Sequence, residues 1–115
     1  MLYHCTRAEY AKRYQIFGFR DFYFSEVSKH SGVWCIDRPL SSRDGYEHAL
    51  DACFAIDIPR AAIPEHTEIA LDAEGTHYLI PAAILNRYPR ALLSIAERND
   101  AVTIWHDPRR AESEG

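Results

Sequence analysis

Gly32-Val33-Trp34-Cys35-Ile36-Asp37 decides the fold, read together with Leu2-Tyr3-His4-Cys5-Thr6 about thirty residues earlier. Each is a short strand-like run holding one aromatic or polar side chain among apolar neighbours, as a strand bordering a pocket would. Thr76-His77-Tyr78-Leu79-Ile80-Pro81 has the same form. Three such strands converging on one cleft suit a ligand that carries a ribose, an aromatic ring and a leaving group.

Working outward, the spacing predicts a helix from Arg7 to about Phe17, with Ala8, Ala11, Tyr14 and Phe17 recurring along one side. Thr6 is its candidate N-cap, Glu9 stands at the capping-box position, and Gly18 supplies the stop. Residues 21–25 read as a short strand and 26–31 as a polar connector into the strand 33–36. The segment 37–45, with Pro39, two serines and Asp44-Gly45, reads as a loop that rims the pocket. Residues 52–58 form a further strand closed by Pro59, and 61–64 give a turn or a helical stub. Strands near 68–71 and 77–80 flank Asp72-Ala73-Glu74-Gly75, a hairpin turn. Pro81 opens a short helix that reaches about Tyr88, Ala91 to Glu97 predicts another, and Val102 to Trp105 predicts a last strand. The sum is an α+β domain over residues 1–106, two small packed β-sheets with peripheral helices, followed by a polar C-terminal tail at 107–115.

A chain of 115 residues, 47% hydrophobic and 26% charged, has the length and composition of one globular domain. The net charge of −4 with scattered Lys and Arg leaves no footprint for non-specific nucleic-acid binding. Cys5, Cys35 and Cys53 are odd in number, lack C-x-x-C spacing and lie in apolar runs, which predicts reduced, buried thiols. No basic leader with a long apolar stretch and no run of membrane-spanning length is visible, so the expectation is a cytoplasmic protein without a membrane partner. None of the six histidines is three or four residues from another, which predicts no metal site, and the five glycines form no phosphate loop.

Taken in order, Leu-Tyr-His-Cys-Thr, the helix closing at Gly18-Phe19, Gly-Val-Trp-Cys-Ile-Asp-Arg-Pro and Tyr-Leu-Ile-Pro-Ala-Ala-Ile-Leu-Asn resemble the ADP-ribosyltransferase superfamily, in its poly(ADP-ribose)-polymerase-like branch and compact bacterial or phage relatives. These segments cover most of residues 2 to 88. The resemblance implies an ADP-ribosyltransferase-like fold, NAD as substrate, and transfer of ADP-ribose to a macromolecular acceptor of unknown type with release of nicotinamide. By position it implies that His4 hydrogen-bonds a ribose of NAD, that the backbone of Cys5, where the family usually has Gly, holds the nicotinamide amide, and that Thr6 adjoins them. It also implies that Trp34, in place of a usual Tyr, shapes the nicotinamide end and that Tyr46 stacks on the ring.

Active members of that family carry a glutamate whose charge favours the oxocarbenium-like carbon formed as nicotinamide leaves. The matching residue here is His77, which brings no negative charge when neutral and opposes the cation when protonated. Glu74 or Glu68 supplies the carboxylate if the hairpin register shifts, Asp37 supplies it from the neighbouring strand end, or His77 acts as general base on an acceptor hydroxyl. A second reading is a catalytically silent module that keeps the fold for binding or interaction. A third is an RNA 2′-phosphotransferase-like enzyme, which requires converging arginines, with Arg38 and Arg43 near the mouth.

Overall fold

The computed structural model describes residues 1–25, 30–39, 52–72 and 75–105. Among these residues seven strands, β1 (Leu2–Thr6), β2 (Phe22–Ser25), β3 (His30–Ile36), β4 (Ala52–Ile56), β5 (Glu68–Asp72), β6 (Gly75–Ile80) and β7 (Arg90–Leu92), accompany the helices α1 (Ala8–Phe17), α2 (Ala82–Leu85) and α3 (Ile95–Trp105). Two single 3₁₀ turns, Arg60–Ala62 and Glu65–Thr67, bridge β4 to β5. Every described strand pair is antiparallel.

Six strands run in the order β5-β6-β3-β1-β4-β7, and β2 is attached to the first half of β3. The sequence predicts two small packed sheets, whereas the described strands form one connected sheet. Alternation of side chains assigns its faces. Leu2, Val33, Cys35, Phe54, Ile56 and Ile80 join Tyr14, Phe19 and Leu85 in the main core. Cys5, Ile36 and Cys53 form a smaller cluster with Tyr3, Trp34 and Leu93 on the opposite face. β4 is buried along its whole length, because it lies between β1 and β7 and is packed from both sides.

Helix α1 contributes only Ala11 and Tyr14 to the core, and the predicted stripe partner Phe17 is 79% exposed. Its N-cap is Arg7 rather than Thr6, with no side-chain cap, because Thr6 is still paired to Ala52 as the last residue of β1. Arg90 closes the other end of the helix: its Nε–H donates to the Tyr14 carbonyl at 3.0 Å and its Nη2–H to that of Gln15 at 3.2 Å. The Tyr14 carbonyl also accepts from Gly18 N–H at 3.0 Å, and the cation adds a favourable charge at the negative end of the helix.

The tract 90–105 differs most from the sequence reading. Arg90–Leu92 is a strand, drawn onto β4 by the register Phe54↔Leu92 and Ile56↔Arg90. The predicted strand 102–105 belongs to α3. Ser94 and Glu97 make a reciprocal capping box, with Glu97 N–H donating to Ser94 Oγ at 3.1 Å and Ser94 N–H to Glu97 Oε1 at 2.9 Å. Those bonds hold the Glu97 carboxyl below its usual range.

The segment from Ile80 to Asn86 pins the turn after α1. The Asn86 carboxamide accepts from Phe19 N–H at 2.8 Å and donates to the Phe19 carbonyl at 3.0 Å, imitating one rung of a ladder. Ala82 N–H donates to Asp21 Oδ1 at 2.7 Å, satisfying an orphan donor of α2. No helix among the described residues is long and apolar enough to cross a membrane.

Candidate functional site

The site begins where two neighbouring strands part. β1 meets β3 in a single bridge, Tyr3↔Ile36, while on its other edge β1 pairs with β4 over all five residues. Beyond that bridge the space that a continued ladder would occupy is taken by the His4 side chain. Its Nδ1–H donates to the Trp34 carbonyl at 2.7 Å, replacing the missing rung and keeping a half-buried carbonyl satisfied.

That bond fixes the imidazole chemically. Burial pushes the His4 pKa below its ordinary value, against the opposing effect of the Trp34 carbonyl. A neutral ring with its proton on Nδ1 leaves Nε2 as a hydrogen-bond acceptor. The ring is wedged edge-on to Tyr14 and Phe19, with centroids 5.8 and 5.5 Å away. Its orientation is therefore set from three sides.

A cavity of about 200 Å³ opens at this parting. His4, Cys5 and Thr6 line it from β1, Gly32, Val33 and Trp34 from β3, and Tyr10, Tyr14, Arg20 and Phe22 complete the wall. It is smaller than the roughly 300–1,000 Å³ of sites that enclose a drug-sized ligand, so it has room for one flat ring and the start of what is attached to it. Gly32, at φ 153°, has the Ile80 carbonyl 3.1 Å from where a Cβ would stand, so a side chain there would press on β6.

Of the sequence-predicted site residues, the structure brings His4, Cys5, Thr6 and Trp34 to this one cavity. The Cys5 side chain points to the other face of the sheet, where its thiol donates to Cys53 Sγ at 3.6 Å and accepts from Arg98 Nη2 at 3.9 Å. Burial and the Cys5 neighbour push the Cys35 thiol far up, and the hydrogen bond shared with Cys5, together with burial, pushes Cys53 up as well. Such thiols are inert at neutral pH.

His77 is placed differently from its predicted role. Trp34 is opposite Leu79 in the β3–β6 register, which puts His77 diagonally across from it on the same face. The Trp34 indole N–H donates to His77 Nδ1 at 3.0 Å, and the two ring planes lie within 9° of each other with centroids 5.6 Å apart. An accepting Nδ1 places the His77 proton on Nε2. The side chain is 7% exposed and does not line the His4 cavity. His77 thus holds Trp34 in place from the face opposite to the His4 ring.

Among the other predicted carboxylates, Asp37 is engaged with the hairpin, its Oδ1 accepting from Thr76 N–H at 3.1 Å. Glu68 lines a separate cavity with Arg60 and Tyr78. Tyr46, Glu74 and Arg43 lie outside the described residues, as does the tail 107–115. Arg38 is buried, at 3% exposure, and is not among the residues of the cleft wall. Among the described residues no three His, Cys, Asp or Glu side chains gather where a metal ion could be held.

Comparison of the chain with family models, curated proteins and solved structures returned no match. The site therefore has to be read from its own geometry.

The wall residues that sequence reasoning missed are Tyr10, Tyr14, Arg20 and Phe22. Tyr10 and Tyr14 stand one helical turn apart, and an i, i+4 aromatic pair beside a candidate strand was the signal available. Arg20 and Phe22 had none, because their position depends on the Asn86 and Asp21 anchors, 67 and 61 residues away in sequence from their partners.

Proposed function

We propose that the chain is an ADP-ribosyltransferase-like, NAD-binding protein whose nicotinamide-ribose end occupies the cleft between β1 and β3. The observation that carries this reading is the His4 imidazole seated on the Trp34 carbonyl at the point where the two strands part. An Nε2 acceptor held at a fixed angle beside an apolar cavity suits a ribose hydroxyl next to a flat, weakly polar ring. Tyr10, Tyr14 and Phe22 give that ring aromatic surface, which contributes about 0.5–1.5 kcal/mol per pair beyond area burial.

In the proposed reaction the bond between C1′ of the ribose and the nicotinamide nitrogen breaks, and its electron pair leaves with neutral nicotinamide. An acceptor hydroxyl or other nucleophile then bonds C1′ and passes its proton to solvent water. His4 orients the ribose. The resemblance names Glu74 for the reacting carbon and Tyr46 for stacking; His77, which it also names, lies off the cavity wall against the Trp34 indole and takes no part in this step.

The alternative of a silent binding module draws support from one observation: His77, at the position of the usual glutamate, is engaged by the Trp34 indole and buried. The absence of an anion there removes a stabiliser worth about 10²–10³ in rate. Nicotinamide release from NAD by the wild-type protein, lost in a folded His4→Ala variant, supports the enzyme. Binding of NAD by the wild-type protein without any release of nicotinamide supports the silent module. Release unchanged in His4→Ala refutes the assignment of the cleft.

A further inference from the structure

We propose that Arg13 and Arg20 form an anion subsite beside the His4 cleft, for the diphosphate that a nucleotide carries when its ring lies in that cleft. The location rests on the reading of the cleft given above; the chemistry of the subsite stands on separate observations.

A second cavity, of about 390 Å³, is lined by Tyr10, Arg13, Tyr14, Arg20, Asp21 and Phe22. It shares Tyr10, Tyr14, Arg20 and Phe22 with the ring cavity, so the two are joined along a common wall. Tyr10, Arg13 and Tyr14 are i, i+3 and i+4 on α1 and therefore present one side of the helix. The ring-sized space thus continues into a wider, basic one, in the order in which a nucleotide's ring, ribose and phosphates follow each other.

Both arginines are exposed, and among the described residues neither has a carboxylate within ion-pair distance. The nearest acidic wall residue, Asp21, is committed to Ala82 N–H. Among the described lining residues two guanidiniums face one carboxylate, a net positive set. Burial and Tyr10 push the Tyr14 pKa up, and the charges of Arg13 and Arg20 both oppose that push. Guanidinium forks match the geometry of phosphate oxygens, and two of them can divide a diphosphate between them.

The backbone under both arginines is held in advance. Residues on either side of Arg20 are pinned, Phe19 by the Asn86 carboxamide and Asp21 by Ala82. The last turn of α1, which follows Arg13, is fixed by Arg90. Binding therefore has side chains to order but little backbone.

The test is titration of the full chain with inorganic pyrophosphate and with NAD, at about 50 mM and about 200 mM salt, where screening of exposed charges differs. Wild type, Arg13→Gln/Arg20→Gln and His4→Ala are compared after each is shown folded by circular dichroism. The proposal expects saturable pyrophosphate binding that weakens with salt, falls at least about tenfold in the double arginine variant, and is unchanged in His4→Ala. Absence of pyrophosphate binding by wild type, or equal binding by the double variant, overturns it. NAD binding lost in His4→Ala but unchanged in the arginine variant also overturns it, and leaves the cleft reading intact. Arginine-dependent pyrophosphate binding without any NAD binding upholds the anion subsite and removes the NAD reading.

Discussion

Gly18→Ala is predicted to be among the most damaging single-methyl changes in this chain. Gly18 has φ 84° and ψ 177°, a region essentially confined to glycine, where another residue costs about 1–3 kcal/mol. The added Cβ would stand 2.7 Å from Asn86 Oδ1 and 3.0 Å from its Cγ. Asn86 cannot yield freely, because the same carboxamide makes both bonds to the Phe19 backbone. Displacing it forfeits two hydrogen bonds, about 1–3 kcal/mol together. The sum is about 2–6 kcal/mol, which for a domain of this size lowers Tm by about 8–24 °C. Urea unfolding of Gly18→Ala, Asn86→Ala and the double variant separates the parts. In the Asn86→Ala background the clash is gone, so Gly18→Ala should cost only the backbone strain. A loss under about 1 kcal/mol for Gly18→Ala in the wild-type background would refute the reasoning.

Three further predictions follow from the site. Because burial lowers the His4 pKa, the unfolded chain takes up a proton below the ordinary value of 6.5 that the folded ring refuses, so His4 costs stability as pH falls through that value and none above it. Chemical unfolding at pH 7.5 and 5.5 should show a smaller acid loss in His4→Gln than in wild type, and an equal loss would contradict the buried neutral ring. His77→Leu strips the Trp34 indole of its acceptor and should cost about 1–3 kcal/mol with a shifted tryptophan emission, while His77→Gln, which can still accept, should recover part of both. The three buried thiols should stay silent to an aromatic disulfide reagent in the native protein and react fully in denaturant. Fast native labelling of any of them would show that the sheet opens locally.

Much of the fold was legible because its strands carry their own alternation. The strands read at Leu2–Cys5, Val33–Ile36 and His77–Ile80 are strands in the structure too, and Gly18 stops α1 as its lack of Cβ allows. The tract from Arg90 to Trp105 was misread for two reasons. Arg90–Leu92 becomes a strand only because β4 offers it an edge, which is a tertiary cause. Val102-Thr103-Ile104-Trp105 has β-favouring residues, yet the capping box at Ser94-x-x-Glu97 starts a helix that runs through them. That Ser-x-x-Glu spacing was readable and was the stronger signal. In the site, His4, Cys5, Thr6 and Trp34 are singled out by the family resemblance of their two strands, and the structure brings all four to one cavity. The opposite facing of His77 required the β3–β6 register, which pairs Trp34 with Leu79 and which no local pattern encodes.

The most direct test of the central claim is calorimetric titration of the purified chain with NAD, repeated with nicotinamide alone and with His4→Ala. The account predicts saturable binding of NAD by the wild-type protein and its loss in a folded His4→Ala variant, since the Nε2 acceptor and the prop on the Trp34 carbonyl vanish together. Absence of heat at high NAD concentration from a folded wild-type protein, or equal binding by His4→Ala, would contradict it.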